Sequence, residues 1–209
     1  MRAMRPMLIL VRHGETEGES SIRYHGRTDV RLSDLGRAQM HAVRAALLEL
    51  GSPQLHWVFT SPLVRATEGA QLIAGQSAEL CVLEEFVEVH FGLFEGLTAE
   101  EIRERYPEHY QHWTTDRLAP GYAYPDGESR LAFAQRVIRG TGKMLSRWQP
   151  RSHVASTALV VAHRGVIRTM VNHLTGNQPS VELGSIQVIE LDGGWRPTML
   201  DHIGHLEGL

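Results

Sequence analysis

Arg12-His13-Gly14-Glu15-Thr16 is the stretch of this chain whose residue types could do covalent chemistry. A neutral imidazole is a nucleophile once one ring nitrogen is free, and the other is best held by an acceptor such as a backbone carbonyl. The guanidinium beside it offers a planar fork of donors that suits phosphate oxygens. Gly14 lets the backbone come close to a ligand. A second histidine has the same setting, because His163 directly follows the apolar run Ala158-Leu-Val-Val-Ala162. Arg65 closes the run Thr60-Ser-Pro-Leu-Val-Arg65. Two arginines and two histidines meeting on one edge would form an anion site, and a phosphoryl group is the anion they fit.

Elements that could bring these residues together alternate along the chain. Met7–Val11, His56–Thr60, Glu79–Leu83 and Ala158–Ala162 are short apolar runs that predict strands buried on both faces. Ser185–Leu191 and Thr198–Ile203 are weaker strand candidates around a Gly193-Gly194 turn. Helices are expected over 34–50, 62–74, 129–148 and 165–174. The first carries Leu35, Ala38, Ala42, Ala45, Ala46 and Leu50 near helical spacing, with Ser33 as its cap and Gly51 after its end. Ser61-Pro62 opens the second. The third has Phe133, Val137, Ile138, Thr141, Leu145 and Trp148 on one stripe. This alternation predicts an α/β fold, a three-layer α/β/α sandwich with a mostly parallel central sheet. Residues 98–125 break the rhythm and read as a helical insertion over the carboxyl edge. Ligands bind at that edge in such folds, so the insertion would act as a lid. Trp113, Tyr122 and Tyr124 either line the pocket or pack the insertion down.

Bulk properties narrow the function classes. The 209 residues fit one domain, 1–209, and a net charge of -3 argues against a general nucleic-acid binder. Lys143 is the only lysine, so the remaining basic residues are arginines. With Cys81 as the only cysteine, intrachain disulfides and cysteine-rich metal sites are excluded. The apolar run at 7–11 is too short for a signal-peptide core, and no stretch has membrane-span length. A cytoplasmic location is expected. His109 with His112, and His202 with His205, have the spacing of helical metal ligands but lack a third ligand nearby. No metal site is assigned.

Six motifs carry a resemblance. They are Leu10-Val-Arg-His-Gly-Glu-Thr16; Gly26-Arg-Thr-Asp-Val30 with Gly36-Arg37; Thr60-Ser-Pro-Leu-Val-Arg-Ala66; Glu88-Val-His-Phe-Gly-Leu-Phe-Glu-Gly96; Pro125-Asp-Gly-Glu-Ser129; and Val160-Val-Ala-His-Arg-Gly-Val-Ile-Arg168. In this order they resemble the histidine phosphatase superfamily, the phosphoglycerate mutase-like proteins. The resemblance implies that His13 becomes a phosphohistidine which water then hydrolyses. It implies that Arg12, Arg65 and His163 hold the phosphoryl oxygens, with Arg23 as a further substrate-binding residue. Glu88, three residues before Phe91-Gly92, would be the general acid and base, with Glu84, Glu85 and Glu95 as the nearby carboxylates to tell apart from it. Arginines stand in for a cation, so neither metal nor cofactor is implied.

The motifs also depart from the family's pattern. Glu19 stands where many members carry a phosphate-binding Asn, and a carboxylate facing phosphate would be repulsive. Glu68-Gly69 replaces a common Gln-Thr pair, and Arg164 stands where Gly is frequent. Three functions are weighed: a phosphatase for a small phosphorylated metabolite, a mutase, and a non-catalytic interaction module. Mutases of the family are typically longer, which favours hydrolysis, and an intact nucleophile argues against a module. The loop around 18–30 looks like that of α-ribazole phosphatases. The expected partner is a small phosphorylated substrate, with no nucleic acid and no membrane; a homodimer is allowed.

Overall fold

The computed structural model describes all residues except 1–4, 19–21, 50–53 and 153. The expectations placed on Glu19, Leu50 and Gly51 therefore lie outside the described residues. The strands are β1 (Pro6–Arg12), β2 (Leu55–Thr60), β3 (Cys81–Val82), β4 (Ser156–Ala162), β5 (Ile186–Leu191) and β6 (Trp195–His202). They form one sheet in the order β3-β2-β4-β1-β5-β6. β1, β2, β3 and β4 run parallel, and β5 and β6 are added antiparallel. Gly193, at φ 67°, sits in the turn between β5 and β6.

Side-chain alternation explains why helices cover both faces. Leu8, Leu10, Phe59, Ala158, Val160 and Ala162 point to one side, where Phe133, Val137, Met144, Val166, Ile167 and Met170 meet them. These come from α5 (Arg130–Trp148) and α6 (Arg164–Thr175). Ile9, Val11, Val58, Leu159 and Val161 point to the other side. There they meet Met40, Val43 and Leu47 of α1 (Asp34–Glu49) and Ala70 and Ile73 of α2 (Val64–Ala74). Each fully buried aliphatic side chain contributes about 1.5–3 kcal/mol. The central strands β1 and β4 are buried on both faces; β3 is not, because it is a two-residue edge strand with Val82 44% exposed.

Three helix readings are corrected. The buried stripe of α1 is Gly36, Met40, Val43, Ala46 and Leu47, while Leu35 and Ala45 are exposed. Small alanines fit either face, so the bulkier Met40 and Val43 decide the rotation. α2 begins at Val64, two residues after Pro62, and its first turn is capped by Asp29, whose Oδ1 accepts from Val64 N at 2.8 Å. On α5, Ile138 is exposed and Met144 takes a core position instead.

The insertion forms α3 (Ala99–Arg105) and α4 (Pro107–Asp116). Thr98 and Glu101 make a reciprocal capping box at the start of α3. Phe94, Ile102, Trp113 and Tyr122 form a separate apolar cluster beneath it. Trp113 and Tyr122 thus pack the insertion down. Among the described residues, no helix is long and apolar enough to cross a membrane.

Candidate active site

Parallel pairing of β1 with β4 sets the site. Arg12 lies opposite Ala162, and His13 N donates to Ala162 O at 3.0 Å, so His13 and His163 leave the sheet side by side. Their rings stand 5.1 Å apart, edge to face. The loop after β1 folds tightly onto the start of α1. A Cβ on Gly14 would come within 2.4 Å of Gly36 O, and one on Gly36 within 1.9 Å of Glu15 O. Ser33 fastens this junction, accepting from Gly36 N at 3.0 Å and donating to the Glu15 carboxylate at 2.6 Å.

His13 is 6% exposed, and its Nδ1 lies 2.7 Å from Gly14 O. A carbonyl can only accept, so Nδ1 carries the proton and Nε2 keeps its lone pair. Arg65 Nε donates to that Nε2 at 3.3 Å. Burial, then the charges of Arg65 and Arg12, hold the His13 imidazolium well below its usual range, so the ring is neutral at pH 7. Burial followed by Arg65 and His13 does the same for His163. His163 Nε2 lies 2.8 Å from the hydroxyl of Ser61.

The two arginines are held differently. Arg65 is 1% exposed, and its Nη1 and Nη2 groups donate to Thr28 O (2.8 Å), His25 O (3.0 Å) and Gly26 O (2.7 Å). Arg12 has one such anchor, from Nη1 to Val181 O at 3.1 Å, and its buried Nε has no partner among the described residues. Burial and the nearby Arg164 push the Arg12 guanidinium down to about 10, still charged at neutral pH.

Glu88 is the carboxylate at this edge. It is 8% exposed and accepts from Val89 N at 2.9 Å and from Gly165 N, at the start of α6, at 3.0 Å. A helix N-terminus suits a carboxylate. Its charge reaches both Arg12 and Arg65. The Tyr124 phenol, pushed up to about 12 by burial and then by Glu88, stands beside it. The other carboxylates have different tasks. Glu85 pairs with Lys143. Glu95 accepts from Gly26 N, Arg27 N, Thr28 N and the Thr28 hydroxyl, and so clamps the loop that Arg65 also holds.

Structure thus brings together Arg12, His13, Arg65, Glu88 and His163. Arg23 is not joined to them by a hydrogen bond among the described residues; it donates to Gly96 O at 2.9 Å and to Glu101 of the capping box at 2.6 Å. Arg164 donates to Ser180 O and Val181 O and pairs with Glu182. Sequence reading did not single out Ser61, Arg136 or Asp201. Arg136 forks onto Glu128 and donates to Glu85 O and Val87 O, which fixes the backbone that carries Glu88. An arginine on a helix gives no signal of that task; only the folded geometry of the facing loop does. Among the described residues, no cluster of three or more His, Cys, Asp or Glu could hold a metal ion. His112 pairs with Asp116, and His202 stacks on His205.

Comparisons with known proteins agree with this architecture. The "bifunctional protein" of Mycobacterium tuberculosis is 31% identical over 95% of this chain, which spans 54% of that protein's length. Phosphoserine phosphatase 1 of Hydrogenobacter thermophilus is 31% identical over 81% of this chain and 76% of its own. The α-ribazole phosphatase of Shigella flexneri superposes with a TM-score of 0.79 at 25% identity, covering 94% of this chain and 96% of that one. The profile of the histidine phosphatase superfamily (branch 1) matches residues 8–196. With that match spanning most of the chain, the protein belongs to the histidine phosphatase superfamily.

Proposed function

We propose that this protein is a phosphomonoesterase that hydrolyses a small phosphorylated metabolite through a phosphohistidine on His13, without a metal ion. The observation that carries the reading is the state of His13: neutral, with Nδ1–H on Gly14 O and the Nε2 lone pair at the centre of a cationic pocket. In the first step Nε2 attacks phosphorus, the bond to the leaving oxygen breaks, and Glu88, having taken the proton brought by the substrate's phosphate monoanion, gives it to that oxygen. In the second step water attacks phosphorus, Glu88 takes its proton, and the N–P bond breaks to restore the lone pair. Arg12 and His163 meet the non-bridging oxygens, and Arg65, its fork held by the 25–28 carbonyls, keeps its charge and its Nε–H beside Nε2 and the phosphoryl group. Fixed donors of this kind supply most of the stabilisation in phosphoryl transfer.

Relatives named as phosphatases support hydrolysis, and a relative named phosphoglycerate mutase-like protein 4 keeps mutase chemistry as the second reading. Substrates to try first are α-ribazole 5′-phosphate and phosphoserine, followed by sugar phosphates and phosphoglycerates. The test is a phosphate-release screen over such a panel with EDTA present, comparing the wild type with His13→Ala. Release by the wild type alone, with an acid-labile phosphohistidine trapped on rapid quenching, is the expected result. Activity that survives His13→Ala would sink the nucleophile, and activity that requires added metal would sink the metal-free mechanism. Turnover that depends on a bisphosphate primer and frees little phosphate would make the protein a mutase.

A further inference from the structure

Val181 is fully buried, β-branched, and sits at φ 60°. Such a residue avoids the left-handed region, so surrounding structure must hold it there. The holding group comes from the far edge of the sheet. Asp201, on β6, accepts from Ser180 N and Val181 N, both at 2.9 Å. Asp201 is itself at φ 54°, and its own N–H donates to Gln187 Oε1 of β5 at 2.6 Å. The bent segment is stitched to the end of β1 as well. Arg12 N donates to Ser185 O at 3.3 Å, and Gly184 N donates to Arg12 O at 3.2 Å.

The consequence falls on Arg12. The strained turn presents Val181 O to Arg12 Nη1 at 3.1 Å, and the same carbonyl accepts from Arg164 Nε at 3.3 Å. That bond is the only anchor of the Arg12 fork among the described residues, and Nε is buried without a partner there. A guanidinium fixed at one nitrogen keeps its other donors aimed in one direction. Released, it would rotate, and misaimed donors lose much of their worth to a transition state.

We propose that Asp201 is a positioning residue for phosphoryl recognition, acting through the strained Val181 carbonyl to aim Arg12. This rests on the phosphatase reading of the site. A carboxylate that merely tied β6 to its neighbours would affect stability without reference to Arg12. The test is a double-substitution cycle between Asp201→Ala and Arg12→Ala, read as orthovanadate affinity by calorimetry and as kcat/KM. Asp201→Ala should weaken both about tenfold in the wild-type background, and leave both within about twofold once Arg12 is gone. Equal losses in the two backgrounds would overturn the proposal. Asp201→Asn, nearly isosteric and keeping one acceptor, covers the case in which the alanine variant fails to fold. It should give an intermediate loss, and wild-type affinity would count against the proposal. A third readout needs no activity. The Arg12 Nη–H resonances should be split by hindered rotation in the wild type and averaged in Asp201→Asn; unchanged splitting overturns the proposal. A chain that hydrolyses no phosphomonoester would sink the phosphatase reading, while the resonances would still decide the role of Asp201.

Discussion

Arg65 and Arg12 stand at one sheet edge within reach of the same histidines, yet the loops around them are built in opposite ways. The 25–28 loop closes on Arg65. At least four of the five guanidinium N–H groups are used by the protein, on three carbonyls and on His13, and Glu95 clamps the same loop from the other side. The 180–185 loop gives Arg12 one carbonyl and leaves a buried Nε without a partner among the described residues. A saturated cation holds a fold and polarises its neighbour. An unsaturated one is a donor waiting for an anion. The pair shows that two arginines of one motif set can be held to very different degrees by the loops around them.

Substitution should separate the two roles. The largest effect is expected for Arg12→Ala, which should lower kcat/KM by about 10²–10³-fold while leaving the melting temperature nearly unchanged. A melting temperature that collapsed with Arg12 would erase the distinction. Arg65→Ala should do the reverse in stability, since three buried carbonyls lose their donors. A cost of about 3 kcal/mol, or about 6–12 °C in melting temperature, is expected by calorimetry. Unchanged melting would show that Arg65 is no keystone.

Gly165→Ala sharpens the comparison at the acid. A Cβ there would lie 2.5 Å from Glu88 Oε1 and 2.9 Å from the Phe133 ring. The displaced carboxylate should lower kcat by about tenfold with little change in KM. An unaltered kcat would remove Glu88 from the proton transfer.

The smallest effect is on stability with pH. Burial together with the two arginines lowers His13 and His163, and burial together with Arg65 lowers His25. Below about pH 6.5 the unfolded chain binds protons that the folded chain refuses. Their contribution is therefore complete above that pH and is lost as pH falls below it. Melting temperature should decline from about pH 6.5 downward, and a flat profile to pH 5 would contradict neutral, buried imidazoles.

Much of this was legible in the sequence for a plain reason. β1, β4 and their flanking residues are local: an apolar run, then a polar residue at the carboxyl end, in a fold that puts reactive groups there. Side-chain period gave the layers, and the motif spacing gave His13, His163, Arg12, Arg65 and Glu88. The rotation of α1 was misread because alanine stretches carry little amphipathic contrast, and packing of Met40 and Val43 settled it. Arg23 is expected as a substrate-binding residue from the loop's motif; among the described residues it donates to Gly96 O and Glu101, partners that no local pattern connects to it.

What the sequence determined by itself is the cast: His13, Arg12 and His163 at strand ends, Arg65 in the first turn of α2, and Glu88 in a loop that the motif spacing picks out. Tertiary structure alone decided how they are tuned. Gly14 O sets the tautomer of His13, three carbonyls from 25–28 occupy Arg65, and Asp201 on the distant β6 bends Val181 toward Arg12. Those choices depend on backbone atoms, which every residue carries alike. Their directions exist only after the chain has folded.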